Sequence, residues 1–229
     1  QMHISCWCAQ ALSDESKMFL RRLPERKQFR DEESGVVFHM SHSSQDIIGN
    51  AELSKFSCPA IPLMYKEREL KHSQLLCDIR KHLSGNEEFQ RQCDKLEDGV
   101  YIFGHSHIQW FIQKGKKIFI NPGSCGLPMD SCERGAPYTL IEADEKGITI
   151  DERRIPYNMD DFIKKFKESD QYKKVPVWSN IRIRELQARR EHLYFFLKYA
   201  EEYAERTGDP VRPFTRKTWE AAYKEWEKR

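Results

Sequence analysis

Val100-Tyr101-Ile102-Phe103-Gly104-His105-Ser106-His107, with Asn121-Pro122-Gly123-Ser124 downstream, decides how this chain is read. Four apolar residues in a row predict a buried strand. Gly104 is expected to let the backbone turn where that strand ends. Two imidazoles two residues apart follow at once, and neutral imidazole is the commonest metal ligand. A metal site built on His105 and His107, at the C-terminal edge of a strand, is the expectation. Its weak point is charge, because histidines alone rarely hold a hydrolytic metal pair.

Working outward, β signals dominate residues 100–155. Strands are predicted over 100–103, 108–113, 117–120, 137–143 and 147–155, with Lys114-Gly115-Lys116 and Glu145-Lys146-Gly147 as hairpin turns. Upstream, residues 35–41 read as a short buried strand with His42-Ser43-Ser44 at its C-terminal end. Open α/β folds gather their sites at such ends, so His42 is expected beside the 105/107 pair. His39 competes, but its place inside the strand favours packing. Asn121 to Ser124 form a tight turn whose amides can face an oxyanion, which makes Asn121, Gly123 and Ser124 candidate substrate-binding residues. The plainer alternative is a turn that only orients the hairpin.

Further out the signals turn helical. Ser13 is placed to cap a helix carrying Phe19, Leu20 and Leu23, which Pro24 ends. Helices are expected at about 65–83, 86–96 and 159–168. Residues 173–180 read as a linker, and one long amphipathic helix is expected from Ile183 to Thr207, stopped by Gly208-Asp209-Pro210. Trp219, Tyr223 and Trp226 share one side of a last helix.

Composition bounds the function. Lys+Arg at 38 against Asp+Glu at 36 gives no electrostatic case for nucleic acid or an anionic membrane. Acidic residues interleave the arginines at 182, 184, 189 and 190, which therefore read as a solvated face. No apolar stretch approaches the roughly 20 residues of a membrane span. Seven scattered cysteines, at 6, 8, 58, 77, 93, 125 and 132, suggest reduced thiols and a cytoplasmic setting.

The run from Val100 through Gly104-His105-Ser106-His107 to Asn121-Pro122-Gly123-Ser124, with a hairpin between and an antiparallel pair after, resembles the C-terminal half of the calcineurin-like metallophosphoesterases. The resemblance covers residues 1–155 and is nearest to the bacterial YfcE-like kind. The tail from Trp178 through Trp226 is similar to an extension carried by some bacterial members. What this implies is an α/β fold: part of a four-layer αββα sandwich in 1–155, and a helical extension in 156–229. It also implies two divalent ions (Mn, Fe, Zn or Ni), with His42 and His105 on one and His107 on the other, acting on a phosphate-ester substrate.

The family further requires Asp-x-His near its start, a Gly-Asp and a Gly-Asn-His/Asp. Neither Asp-x-His nor Gly-Asn-His/Asp occurs here, Gly49-Asn50 is followed by Ala51, and the one Gly-Asp, Gly208-Asp209, falls at the stop of the long tail helix and not in residues 1–155. The chain is therefore expected to be the C-terminal portion of such a domain, inactive alone, with no general acid identified. An exposed sheet edge and part of the core are expected to drive self-association. The alternative is a non-catalytic phosphoesterase-like scaffold that uses its helical tail for protein contacts.

Overall fold

Strand β1 (Arg26–Arg30) forms although all of its residues are exposed, and the turn behind it explains why. The Asp31 carboxylate accepts hydrogen bonds from Ser34 N at 2.8 Å and Ser34 Oγ at 2.5 Å. Those bonds hold its pKa below the ordinary carboxylate value. Gly35 takes a left-handed φ of 70°, and Asp31 N donates to Val36 O at 2.9 Å. The chain is thus sent straight back as β2 (Val37–Ser41). The two strands pair antiparallel with Phe29 opposite Phe38, and these rings stack at 5.0 Å.

The computed structural model describes residues 2–43, 71–132, 135–212 and 214–228. Residues 44–70, which include Gly49-Asn50-Ala51, Cys58 and the start of the helix expected at 65–83, lie outside the described residues. The chain divides into two compact units, Pro24–Tyr157 and a second made of Gln1–Leu23 with Asn158–Arg229.

In the first unit, β2 pairs parallel with β3 (Gly99–Phe103), and β3 pairs parallel with β5 (Lys117–Pro122). β4 (Gln109–Lys114) closes the far edge antiparallel to β5. The five-stranded sheet runs β1-β2-β3-β5-β4. A second sheet is the hairpin of β6 (Ala136–Asp144) and β7 (Gly147–Ile155). Its turn is held by Asp144 Oδ1, which accepts from Lys146 N and Gly147 N at 2.8 and 3.0 Å.

Alternation along the strands sorts the core into layers. Phe38, Val100, Ile118 and Ile120 point to one face and pack against Ile141, Ala143, Ile148 and Ile150 of the hairpin. Each of those four buried side chains contributes roughly 1.5–3 kcal/mol. Tyr101 and Phe119 point to the other face and stack at 5.2 Å. There Phe89 of helix α4 (Glu87–Lys95) meets Phe119 edge-on at 5.3 Å. Helix α3 (His72–Gly85) buries Leu75, Ile79 and Leu83 at helical spacing. The fold is thus mixed α/β, with a parallel-containing central sheet and the layered sandwich the resemblance implies.

The second unit is helical: α1 (Met2–Ala11), α2 (Asp14–Arg22), α5 (Met159–Glu168), α6 (Asp170–Lys174), α7 (Pro176–Ala188), α8 (Leu193–Thr207) and α9 (Arg216–Trp226). Ser13 caps α2, accepting from Ser16 N. Phe196 sits at the centre of the tail's core, with Trp219, Trp226 and Tyr223 rings at 4.6, 5.3 and 5.7 Å. The single helix expected over 183–207 is two helices, and the expected linker is partly their first. Pro176 opens α7, a position where its missing N–H costs nothing. Arg189 then turns left-handed at φ 53°. The fully buried Glu185 reaches across that break and accepts from His192 N and Leu193 N at 2.8 and 2.7 Å, capping α8. Among the described residues no helix is long and apolar enough to cross a membrane.

Candidate metal centre

The parallel register of β2 and β3 sets the site. Ser41 stands level with Phe103, so both chains leave the sheet side by side, one into His42 and the other into Gly104. Gly104 N donates to His42 O at 3.2 Å, one step beyond the ladder. His42 Nε2 and His105 Nδ1 then lie 3.2 Å apart, with their rings edge-on at 83°. Two nitrogens on one ion at about 2.0–2.1 Å stand roughly 2.8–3.4 Å apart, from octahedral to tetrahedral angles. The pair fits two neighbouring positions on a single ion. Burial, and then His42 itself, lower the pKa of His105, which favours the neutral ring that ligates metal.

The sharp turn expected of Gly104 is made elsewhere. A Cβ on Gly104 would meet nothing closer than 3.9 Å, and the left-handed residues are His105 (φ 69°) and His107 (φ 59°). Histidine tolerates this region better than most side chains, but it is still a conformation the surroundings must hold.

His107 does not join the pair. Its Nδ1 donates to Leu127 O at 2.9 Å, which places the ring lone pair on Nε2, the usual outcome when a carbonyl orients a ligating histidine. Its own carbonyl accepts from Met129 N at 2.9 Å. His39 lies inside β2 and stacks on Tyr101, centroids 4.4 Å apart and planes at 4°.

The Asn121 turn touches this loop directly. Asn121 is 1% exposed. Its Nδ2 donates to Gly104 O at 2.7 Å and Ser106 Oγ at 2.9 Å, and its Oδ1 accepts from Gly123 N at 3.0 Å. That amide is therefore used within the turn. Gly123 is left-handed at φ 81°, and a Cβ there would lie 2.8 Å from Pro137 Cγ. The half-buried Ser124 accepts from Leu127 N at 3.1 Å.

Behind these loops lies a polar layer that the sequence reading did not find. Gln109 is 3% exposed, and its Nε2 donates to Tyr138 O at 2.8 Å, joining the two sheets. Arg154 pairs with Asp130, and His72 Nδ1 donates to Asp130 O at 2.8 Å. Asp130 Oδ1 and Glu152 Oε1 are buried without a hydrogen-bond partner among the described residues. Burial raises the Glu152 pKa, against Arg80, His72 and Arg154. The signal was there in the alternation: Glu152 and Arg154 fall on the same face of β7 as Ile148 and Ile150.

Among the described residues, no group of three or more His, Cys, Asp or Glu side chains is placed to hold an ion. The histidine pair fits part of one coordination sphere, and the described residues do not complete a two-ion centre.

No family model matches the chain, and neither does any curated protein. Among solved structures it is similar to a conserved uncharacterized protein of Streptococcus pneumoniae described as a predicted phosphoesterase. The identity is 17% and the TM-score 0.33, over 57% of this chain and 54% of that one. It is also similar to a single-site variant of Vps29 from Entamoeba histolytica, at 17% identity and TM-score 0.30, over 59% of this chain and 63% of that one. The chain thus spans 54% and 63% of the lengths of these two structures.

Proposed function

We propose that this chain carries the imidazole side of a metal-dependent phosphoesterase centre acting on phosphomonoesters or phosphodiesters. One observation carries the proposal: His42 Nε2 and His105 Nδ1 stand 3.2 Å apart at the level ends of two parallel strands. His42 and His105 are assigned to one divalent ion (Mn, Fe, Zn or Ni), and His107, through Nε2, to a second. A divalent ion at such a site supplies positive charge against phosphate and acidifies water. The chain's own contribution is to bring imidazole rings there. Imidazole adds no negative charge to a place that must attract an anion. Ser124 is assigned to the substrate side of the turn, whereas the Gly123 amide is already given to Asn121 Oδ1. Free thiols fit a cytoplasmic setting.

The 229 residues contain no Asp-x-His, and no three-ligand group gathers among the described residues. The chain alone is therefore expected to hold one ion and to turn over slowly, with carboxylate ligands needed for full activity. That same observation favours the second proposal, a non-catalytic scaffold.

The test is a titration with Co²⁺ or Zn²⁺ followed by calorimetry and visible absorption. Binding of one ion per chain, lost in His42→Ala and in His105→Ala, is expected. No binding by the unaltered chain would sink the metal-site proposal. Hydrolysis of bis-p-nitrophenyl phosphate with Mn²⁺ is expected near background. Fast turnover abolished by His105→Ala would instead make the chain a complete enzyme.

A further inference from the structure

We infer that Asn121 is a positioning residue for the metal-binding histidines, acting through Gly104 and Ser106; this rests on the metal-site proposal above. The amide is almost wholly buried, at 1% exposure, so it does not face a substrate. Its two acceptors flank His105 in the chain: the carbonyl before it at 2.7 Å and the hydroxyl after it at 2.9 Å. Ser106 N donates to the same Gly104 carbonyl at 2.9 Å. The left-handed stretch is thereby tied at the residue before His105 and at the residue between the two histidines.

Something has to tie it. His105 and His107 both hold positive φ, where a residue bearing a Cβ is held by its surroundings or relaxes away. β3 ends at Phe103, so the ladder does not reach either histidine. Asn121 reaches the residues on either side of His105, and it is itself well anchored. It lies in β5, opposite Trp110 of β4, with Ile120 before it at 1% exposure. Its Oδ1 is fixed from the other side by Gly123 N at 3.0 Å. A rigid strand therefore lends one side chain to the loop, and the direction of the His105 ring towards His42 follows from where that side chain holds Gly104 O and Ser106.

Asn121→Asp separates this role from folding. It keeps the volume and the acceptor for Gly123 N, but removes both hydrogens given to Gly104 O and Ser106 Oγ. Outer-shell changes of this kind cost about 10–100-fold in metal affinity, and a loss of at least about ten-fold for Co²⁺ is expected. It should be read at a temperature where circular dichroism shows the variant folded, together with a change in the Co²⁺ visible spectrum. A variant that melts lower yet binds Co²⁺ as tightly, with the same spectrum, would overturn the inference and leave a purely structural asparagine. If Asn121→Asp does not fold, Ser106→Ala removes one of the two acceptors and is expected to weaken Co²⁺ binding less; unchanged binding would overturn the inference. If the unaltered chain binds no Co²⁺, the metal-site proposal fails by itself. The positioning role is then read without metal, from the nuclear Overhauser contact between the His42 and His105 rings. Its loss in Asn121→Asp supports the role, and its persistence overturns it.

Discussion

Arg154 of β7 and Asp130 of the loop after Ser124 form an ion pair nearly closed to solvent, their side chains 6% and 0% exposed. Asp130 Oδ2 also accepts from Gln109 N at 3.5 Å, two residues beyond His107. Removing one partner leaves a buried charge uncompensated, which costs about 3–5 kcal/mol. Arg154→Met is expected to lose about that much in urea unfolding. Asp130→Leu combined with Arg154→Met should lose less than the sum of the single changes. An Arg154→Met protein within about 0.5 kcal/mol of the unaltered one would show that the pair does not hold the sheets together.

His39 tests the choice among the histidines. It stacks on Tyr101, and its Nε2 is buried without a hydrogen-bond partner among the described residues. His39→Phe keeps the ring stack and removes the orphaned nitrogen. Co²⁺ binding should be unchanged and stability equal or higher. A drop in Co²⁺ affinity matching that of His42→Ala would move the metal site into β2.

Gly123 combines a positive φ with a crowded exterior. A Cβ there falls 2.8 Å from Pro137 Cγ and 3.2 Å from Gln109 Cβ. Gly123→Ala is expected to destabilise by about 1–3 kcal/mol. Because the strain falls at the turn bonded to Asn121, Co²⁺ affinity should fall as well. A melting temperature equal to that of the unaltered protein would contradict the tight approach.

In the helical unit, two groups titrate against each other. Burial, with Glu191 adding and Arg182 opposing, pushes Glu185 up to about 7 from 4.5. Between those values the folded chain keeps a proton the unfolded chain has released, so stability falls as pH rises. Burial, then Arg184 and Arg190, pull His192 down to about 4 from 6.5. Between those values the unfolded chain takes a proton the folded chain refuses, so stability rises with pH. From 4.5 to 6.5 the two slopes oppose. Glu185→Gln keeps an acceptor for His192 N and Leu193 N while removing the first slope. Its melting temperature should climb between pH 4 and 6.5, where the unaltered protein is flatter. Parallel pH profiles for the two proteins would refute the opposition.

How far the sequence reached depended on whether structure was made by local pattern or by distant contacts. Strands β3 to β7 were readable within one or two residues, because alternation and turn residues are local signals. α5 was likewise readable, with Asn158 accepting from Asp161 N to start it. β1 was not, because Arg26–Arg30 has no buried face and owes its form to pairing with β2. The break after α7 was hidden too, since it depends on Glu185 reaching seven residues ahead. At the site, the residue types pointed to His42 and His105, but which atoms meet is a matter of strand register. Asp130 and Gln109 stayed invisible because each works through partners far along the chain.

The pairing of His42 with His105 spans 63 residues, and it depends on two strands that run parallel. Closing a loop of that length is paid in chain entropy before any contact rewards it. Within this site the local β1–β2 pairing is therefore expected to form before β2 docks onto β3. An excursion that lifts that hairpin off β3 would separate the two rings. An ion held between His42 and His105 would act as a latch on a hinged flap. Amide exchange in residues 26–41 should slow when metal is added, while α4 and β5 exchange as before.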